Sequence, residues 1–146
     1  MKTCKLLREQ VAAATGSKKA ELVLKNAQIV NVFTQSVETG DIAIEGGYIV
    51  GIGNYEGITE KDLGGAYVCP GFLDGHIHIE SSMTSPGEFE RAVVPHGTIA
   101  VITDPHEIAN VAGTAGIRFM MQSAQKLDLD VYFMLPSCVP ATDLDE

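Results

Sequence analysis

The six residues Thr98-Ile99-Ala100-Val101-Ile102-Thr103 are β-branched or apolar almost throughout, as in a strand buried on both faces of a parallel sheet. Parallel neighbours need a long crossover, usually a helix, so this run calls for helices before and after it. Both are written in the chain. Ser85-Pro86-Gly87-Glu88 has the spacing of a capping box with proline at the first helical position, which predicts a helix over about 86–94. Pro95 and Gly97 stop it. After the strand, Ile117, Met120, Met121, Ala124 and Leu127 recur at helical spacing and give a second helix one apolar face. Residues 131–135 then read as a third buried strand, and 71–79 as the first. Strand, helix, strand, helix, strand is two βαβ units, so the fold class is α/β, opening either a doubly wound sheet or an eight-stranded barrel. A barrel needs about 250 residues. The stretch 71–146 has room for three of the eight strands, and Ala141-Thr142-Asp143-Leu144-Asp145-Glu146 carries no closing element. The chain therefore reads as interrupted: as a (β/α)8 barrel it would stop after its third strand.

The front of the chain has a different texture. Residues 4–15 form a short helix with Leu6, Leu7 and Val11 as its apolar stripe, within an N-terminal helical segment over 1–20. From Glu21 the pattern changes to short runs rich in Val and Ile at 22–24, 29–32, 42–44 and 48–52. Gly46-Gly47 separates the last two and supplies the positive φ angles of a tight hairpin. A small antiparallel sheet over 21–70 is the expectation, followed by the α/β region over 71–146.

Charge and cysteine usage narrow the partners. A formal charge of −9, with ten Lys and Arg in no long basic stripe, would repel a phosphate backbone, so nucleic acid is not an expected partner. No apolar run approaches the roughly 18 residues of a membrane span, and Met1–Gly16 is not built like a signal peptide, so a cytoplasmic protein without a membrane partner is expected. Cys4, Cys69 and Cys138 show no C-x-x-C spacing and read as reduced thiols.

The polar chemistry collects where these strands end. His76 and His78 are two apart, and alternate residues of a strand share one face, so both imidazoles can approach one cation. The apolar approach Pro70-Gly71-Phe72-Leu73-Asp74-Gly75 is expected to bury them, and buried histidine usually needs a partner or a metal. The second strand ends in Thr103-Asp104-Pro105-His106-Glu107. Asp104 and Glu107 could cap the following helix or act chemically, with His106 the more suggestive of a site. Glu80-Ser81-Ser82 could bind a substrate or simply turn the chain toward Ser85. Glu80, Asp104, His106 and Glu107 are thus candidates at the site mouth.

Those same residues carry a family resemblance. Pro70-Gly71-Phe72-Leu73-Asp74-Gly75-His76-Ile77-His78 resembles the first-strand motif of the metal-dependent amidohydrolase superfamily. Ile79-Glu80-Ser81-Ser82-Met83, the run from Thr103 to Val111, and Pro136-Ser137-Cys138-Val139-Pro140 resemble the adenine deaminases within it. The strand-rich front resembles the small β-sandwich that flanks the barrel in the superfamily, here in part. The resemblance implies conversion of adenine and water to hypoxanthine and ammonia in purine salvage. It implies His76 and His78 as ligands to a divalent metal, manganese or iron with zinc as the alternative, adenine as the small-molecule substrate, and a homo-oligomeric full-length protein. The family's bridging carboxylate, further histidine ligands and late aspartate have no counterpart before Glu146, so the isolated chain is expected to be inactive. Two alternatives stand beside this one. A deacetylase or cyclic-amide hydrolase would share residues 75–78 but lack the runs at 80–82 and 105–107, and a non-catalytic remnant would match the abrupt end. The cytidine-deaminase type is disfavoured, because no H-x-E with a downstream P-C-x-x-C occurs.

Overall fold

Small residues and one bulge shape the front of the molecule. A computed structural model describes residues 4–136 and residue 139; Ser137, Cys138, Pro140 and the terminal run 141–146 lie outside the described residues. The chain divides into two units, Met1–Pro70 and Gly71–Glu146.

In the first unit, helix α1 spans Cys4–Ala14, as its run of good helix formers favours. It closes in a Schellman arrangement: Gly16 takes φ 71°, Ser17 N–H reaches Ala12 O at 3.0 Å and Gly16 N–H reaches Ala13 O at 3.1 Å. The expected stripe is not the buried one. Leu7 and Val11 are exposed, whereas Gln10 and Ala13 are buried, because the close approach of helix to sheet favours Ala13 against Ala20, Val23 and Ala43.

The sheet is built on β1 (Ala20–Asn31), which merges the two expected runs into one strand. A bulge between Leu24 and Ala27 bends it, with Asn26 at φ 57°. Strand β2 (Ser36–Glu45) pairs antiparallel with β1, and β3 (Tyr48–Gly53) pairs antiparallel with β2. The hairpin between β2 and β3 turns at Gly46 and Gly47, φ 58° and 77°, as their sequence predicts. Two strands differ from expectation. Strand β4 (Gly57–Asp62) and strand β5 (Tyr67–Val68) both pair parallel with β1, on either side of the bulge, so the sheet is mixed rather than antiparallel. The sequence Gly57-Ile58-Thr59-Glu60-Lys61-Asp62 is almost wholly exposed and lacks the Val/Ile signature of a strand.

In the second unit, β6 (Phe72–Ile77), β7 (Thr98–Thr103) and β8 (Asp130–Phe133) form a parallel sheet in that order. Helix α2 (Pro86–Val93) connects β6 to β7, and α3 (His106–Ala124) connects β7 to β8. Two βαβ units are thus present as expected. The core gathers Ile79, Phe89, Val101, Met120 and Leu129. Ser85 occupies the N-cap of α2 but makes no side-chain capping bond; Glu88 pairs with Arg91 at 3.1 Å instead of closing a capping box. Pro95 lies in a 3-10 turn after α2, and Gly97, at φ 96°, ends it. Helix α3 is interrupted at Gly113 (φ 57°, ψ −147°), and Leu127 falls beyond its end. Met121 is exposed. The third strand is half covered rather than buried: Val131 and Phe133 face inward, Asp130 and Tyr132 outward. No helix among the described residues is long and apolar enough to cross a membrane.

Candidate metal centre

The parallel pairing of β6 with β7 sets the ends of both strands side by side, in the register Ile77↔Thr103. Asp104 N–H extends the ladder to Ile77 O at 3.0 Å. His78 lies one residue past β6 yet remains extended, at φ −114° and ψ 103°, so His76 and His78 keep the shared face expected of alternate residues. Their rings meet edge to face with centroids 5.0 Å apart, and the two Nε2 atoms are 3.3 Å apart.

Proton placement follows from the partners. His78 Nδ1 lies 2.9 Å from the main-chain oxygen of Asp104, which can only accept, so Nδ1 carries the hydrogen and a neutral ring leaves Nε2 as a lone pair. Two nitrogens held by one tetrahedral cation at about 2.0–2.1 Å each lie about 3.3–3.4 Å apart. The observed pair matches that spacing. A ligating histidine commonly donates its other N–H to a carbonyl or carboxylate, as His78 does here. The expected burial does not occur: His76 is exposed and His78 half-buried, and Phe72 and Leu73 are exposed, because β6 is an edge strand with β7 on one side only.

At the end of β7, Asp104 is 8% exposed. Its Oδ2 accepts from His106 Nδ1–H at 3.1 Å, and its Oδ1 is buried without a hydrogen-bond partner among the described residues. The His106 ring stands 4.5 Å from that of His78. The capping role that sequence left open for Asp104 and Glu107 belongs to neither, since Pro105 holds the N-cap position without a side-chain bond. Glu80 meets that helix end from the turn after β6, its Oε1 accepting Ile108 N–H at 3.3 Å while Oε2 stays buried and unpaired among the described residues. Ser81 Oγ–H donates to Glu107 Oε1 at 2.5 Å, and Ser82 Oγ–H donates to Ile79 O at 2.6 Å. Residues 80–82 therefore turn the chain and brace the start of α3. Ile79 anchors this turn, fully buried between His78 and Glu80.

Among the described residues, two sets of three groups bring donor atoms within 4.8 Å of one another: His76, His78 and Asp104, and His78, His106 and Glu107. Each offers two imidazoles and one carboxylate, a donor set suited to divalent transition metals. The structure thus gathers His76, His78, Asp104, His106 and Glu107. The bracing bonds of Glu80 and Ser81 run from the turn after β6 to the first turn of α3, between residues 26–28 apart in sequence, so no local pattern could have revealed them.

Comparison with known proteins gives this geometry a context. The sequence profile of the amidohydrolase family matches residues 67–146. "Adenine deaminase 2" of Carboxydothermus hydrogenoformans is 59% identical over 141 residues, which cover 97% of this chain and 25% of the relative. "Adenine deaminase" of Geobacillus kaustophilus is 58% identical, covering 95% of this chain and 24% of its own length. That of Listeria monocytogenes is 50% identical over 98% of this chain, with 25% of the relative covered. The chain thus spans about a quarter of the length of the curated relatives it matches. Among solved structures, "L-Hydantoinase (Dihydropyrimidinase) from Arthrobacter aurescens" superposes with a TM-score of 0.58 at 19% identity, covering 83% of this chain and 29% of that one. That likeness concerns fold alone. The parallel strands and intervening helices are those of a partial (β/α)8 barrel, and the doubly wound alternative falls away.

Proposed function

The chain belongs to the amidohydrolase family, and from that premise we propose that it carries the metal-binding end of an adenine deaminase, which converts adenine and water to hypoxanthine and ammonia in purine salvage. The observation that carries the reading is the facing pair of Nε2 atoms 3.3 Å apart, with His78 Nδ1–H already committed to a carbonyl. The named relatives supply the substrate class. His76 and His78 would hold the cation. Asp104, with a carboxylate oxygen near both rings and a buried Oδ1 that has no hydrogen-bond partner among the described residues, fits such a site. A divalent ion there, manganese or iron with zinc as the alternative, would supply the Lewis acidity that brings the pKa of a water near neutrality.

The chain's own groups divide the remaining work. Glu107 Oε1 is occupied by the Ser81 hydroxyl, which orients the carboxylate and leaves Oε2 to take a proton. His106 spends Nδ1–H on Asp104 and so would offer a lone pair at Nε2 to an N–H of a bound purine. Ser81 and Glu80, through Glu107 and Ile108, keep the first turn of α3 against the turn that follows β6. In the net reaction, the C6–N bond of adenine breaks, a C6–O bond forms, and water's protons leave with ammonia or stay on the product ring.

Titration of the 146-residue chain with Mn²⁺ should show binding that His76→Ala weakens by roughly 10-fold or more. Hypoxanthine and ammonia are expected only from a protein of the relatives' length that contains these residues, and His76→Ala should abolish them there. A full-length protein that binds Mn²⁺ yet leaves adenine untouched would move the substrate elsewhere within the family. Turnover by the 146 residues alone would overturn the expectation that they need further groups.

A further inference from the structure

Two imidazoles at this site lean on one residue. Asp104 takes the Nδ1–H of His78 on its main-chain oxygen at 2.9 Å and the Nδ1–H of His106 on its carboxylate at 3.1 Å. A carbonyl oxygen and an ionised carboxylate only accept, so beside them both rings carry their hydrogen on Nδ1 and, when neutral, show bare Nε2 atoms. We propose that Asp104 is a positioning residue that sets the tautomers of His78 and His106 together, through its backbone and its side chain respectively.

Asp104 is itself held on several sides. Its own N–H is tied to Ile77 O at 3.0 Å, it follows the fully buried Thr103, and it precedes Pro105, whose ring restricts the backbone before it to extended conformations. The carboxylate is nearly buried, with one oxygen unpaired among the described residues. Burying a carboxylate costs free energy. That cost is offset here by orientation: a single rigid residue at the end of β7 decides which nitrogen each of two rings presents. Capping does not explain the burial, because the α3 N-terminus is met by Glu80 instead.

The asymmetry between the two bonds makes the inference testable. Any residue at position 104 supplies the carbonyl for His78, but only an oxygen-bearing side chain supplies the acceptor for His106. In ¹⁵N-histidine spectra, assigned with His78→Gln and His106→Gln, both rings of the unaltered chain should show the Nδ1–H tautomer. Asp104→Ala should release His106 to the other tautomer and leave His78 as it was. Asp104→Asn, whose amide oxygen still accepts, should restore His106. An Nε2–H tautomer at either ring in the unaltered chain overturns the proposal even if Asp104→Ala fails to fold, and so does a His106 signal indifferent to Asp104→Ala. The effect on turnover rests on the deaminase reading: in a full-length protein, Asp104→Ala should lower kcat roughly 10–100-fold and Asp104→Asn should recover part of it. A full-length protein inert toward adenine would sink that reading and leave the tautomer result standing. An active one whose His106 ignores Asp104→Ala would sink this inference alone.

Discussion

Asp41 shows how a single charged residue is tied to local geometry. It is nearly buried beneath the β1 bulge, where Lys25 Nζ meets its Oδ2 at 2.5 Å and Asn26 N–H meets its Oδ1 at 3.1 Å. The Lys25 hydrogen bond holds the Asp41 carboxyl below its ordinary 3.8, against the opposing effect of burial. Glu45 is likewise held below its ordinary 4.5, chiefly by the hydrogen bond from Lys18. Carboxyls with depressed folded pKa values contribute stability above their unfolded pKa and lose it as pH falls through the folded value. For Lys25 and Lys18, raised above 10.5 by the same bonds, the contribution is complete below that pH and fades as pH climbs beyond it. The thermal midpoint of the chain should therefore be level between about pH 5 and pH 10 and fall on either side. Asp41→Asn should lower the plateau and flatten the acid limb, as followed by circular dichroism. An unchanged acid limb would show that the bulge does not depend on this pair. The same scale separates the site residues. His76 and His78 could be paired from sequence because strand alternation is a local rule, and the bond of Asp104 to His106 is local too, whereas its bond to His78 joins residues 26 apart.

Elements were legible where their signal was continuous. Strand β7 and the hairpin at Gly46 and Gly47 follow expectation because an apolar β-branched run and two adjacent glycines each leave few local alternatives. The break in α3 was not legible, since a lone glycine inside a helical pattern is usually tolerated. Gly113 adopts φ 57° and ψ −147°, and a Cβ built there meets nothing within 4 Å, so the demand is conformational rather than steric. Gly113→Ala should cost about 1–3 kcal/mol, measured as a lower urea midpoint. No loss would mean that α3 runs straight with little penalty. Strand β4 escaped notice for the opposite reason: its place in the sheet comes from backbone bonds to β1, which leave no mark on an exposed, polar sequence.

At the scale of the whole molecule, each unit leaves apolar surface uncovered. In the first, Phe33 is 95% exposed, beside a cavity of about 320 Å³ lined by Ile29, Ile42, Ile49, Ile52 and Val68. In the second, Leu135 is 92% and Val111 84% exposed, and among the described residues β6 and β8 are open edges of a three-stranded sheet. Open edges and apolar patches favour association. Sedimentation velocity on the 146-residue chain should show concentration-dependent self-association, and Phe33→Ser should reduce it. A monomer with one sharp cooperative unfolding transition would contradict this expectation.

Sequence by itself determined the α/β class, the order of strands and helices in the second unit and the shared face of His76 and His78, because periodicity, turn residues and strand alternation act over a few neighbouring residues. Only tertiary structure decided the parallel strands added to the first sheet, the incomplete burial of His76 and His78 at the end of an edge strand, and the bonds that make Asp104, Glu80 and Ser81 the frame of the site. Those outcomes depend on which distant backbone lies alongside, and a hydrogen bond between residues 26 apart leaves no trace in the local spacing of either.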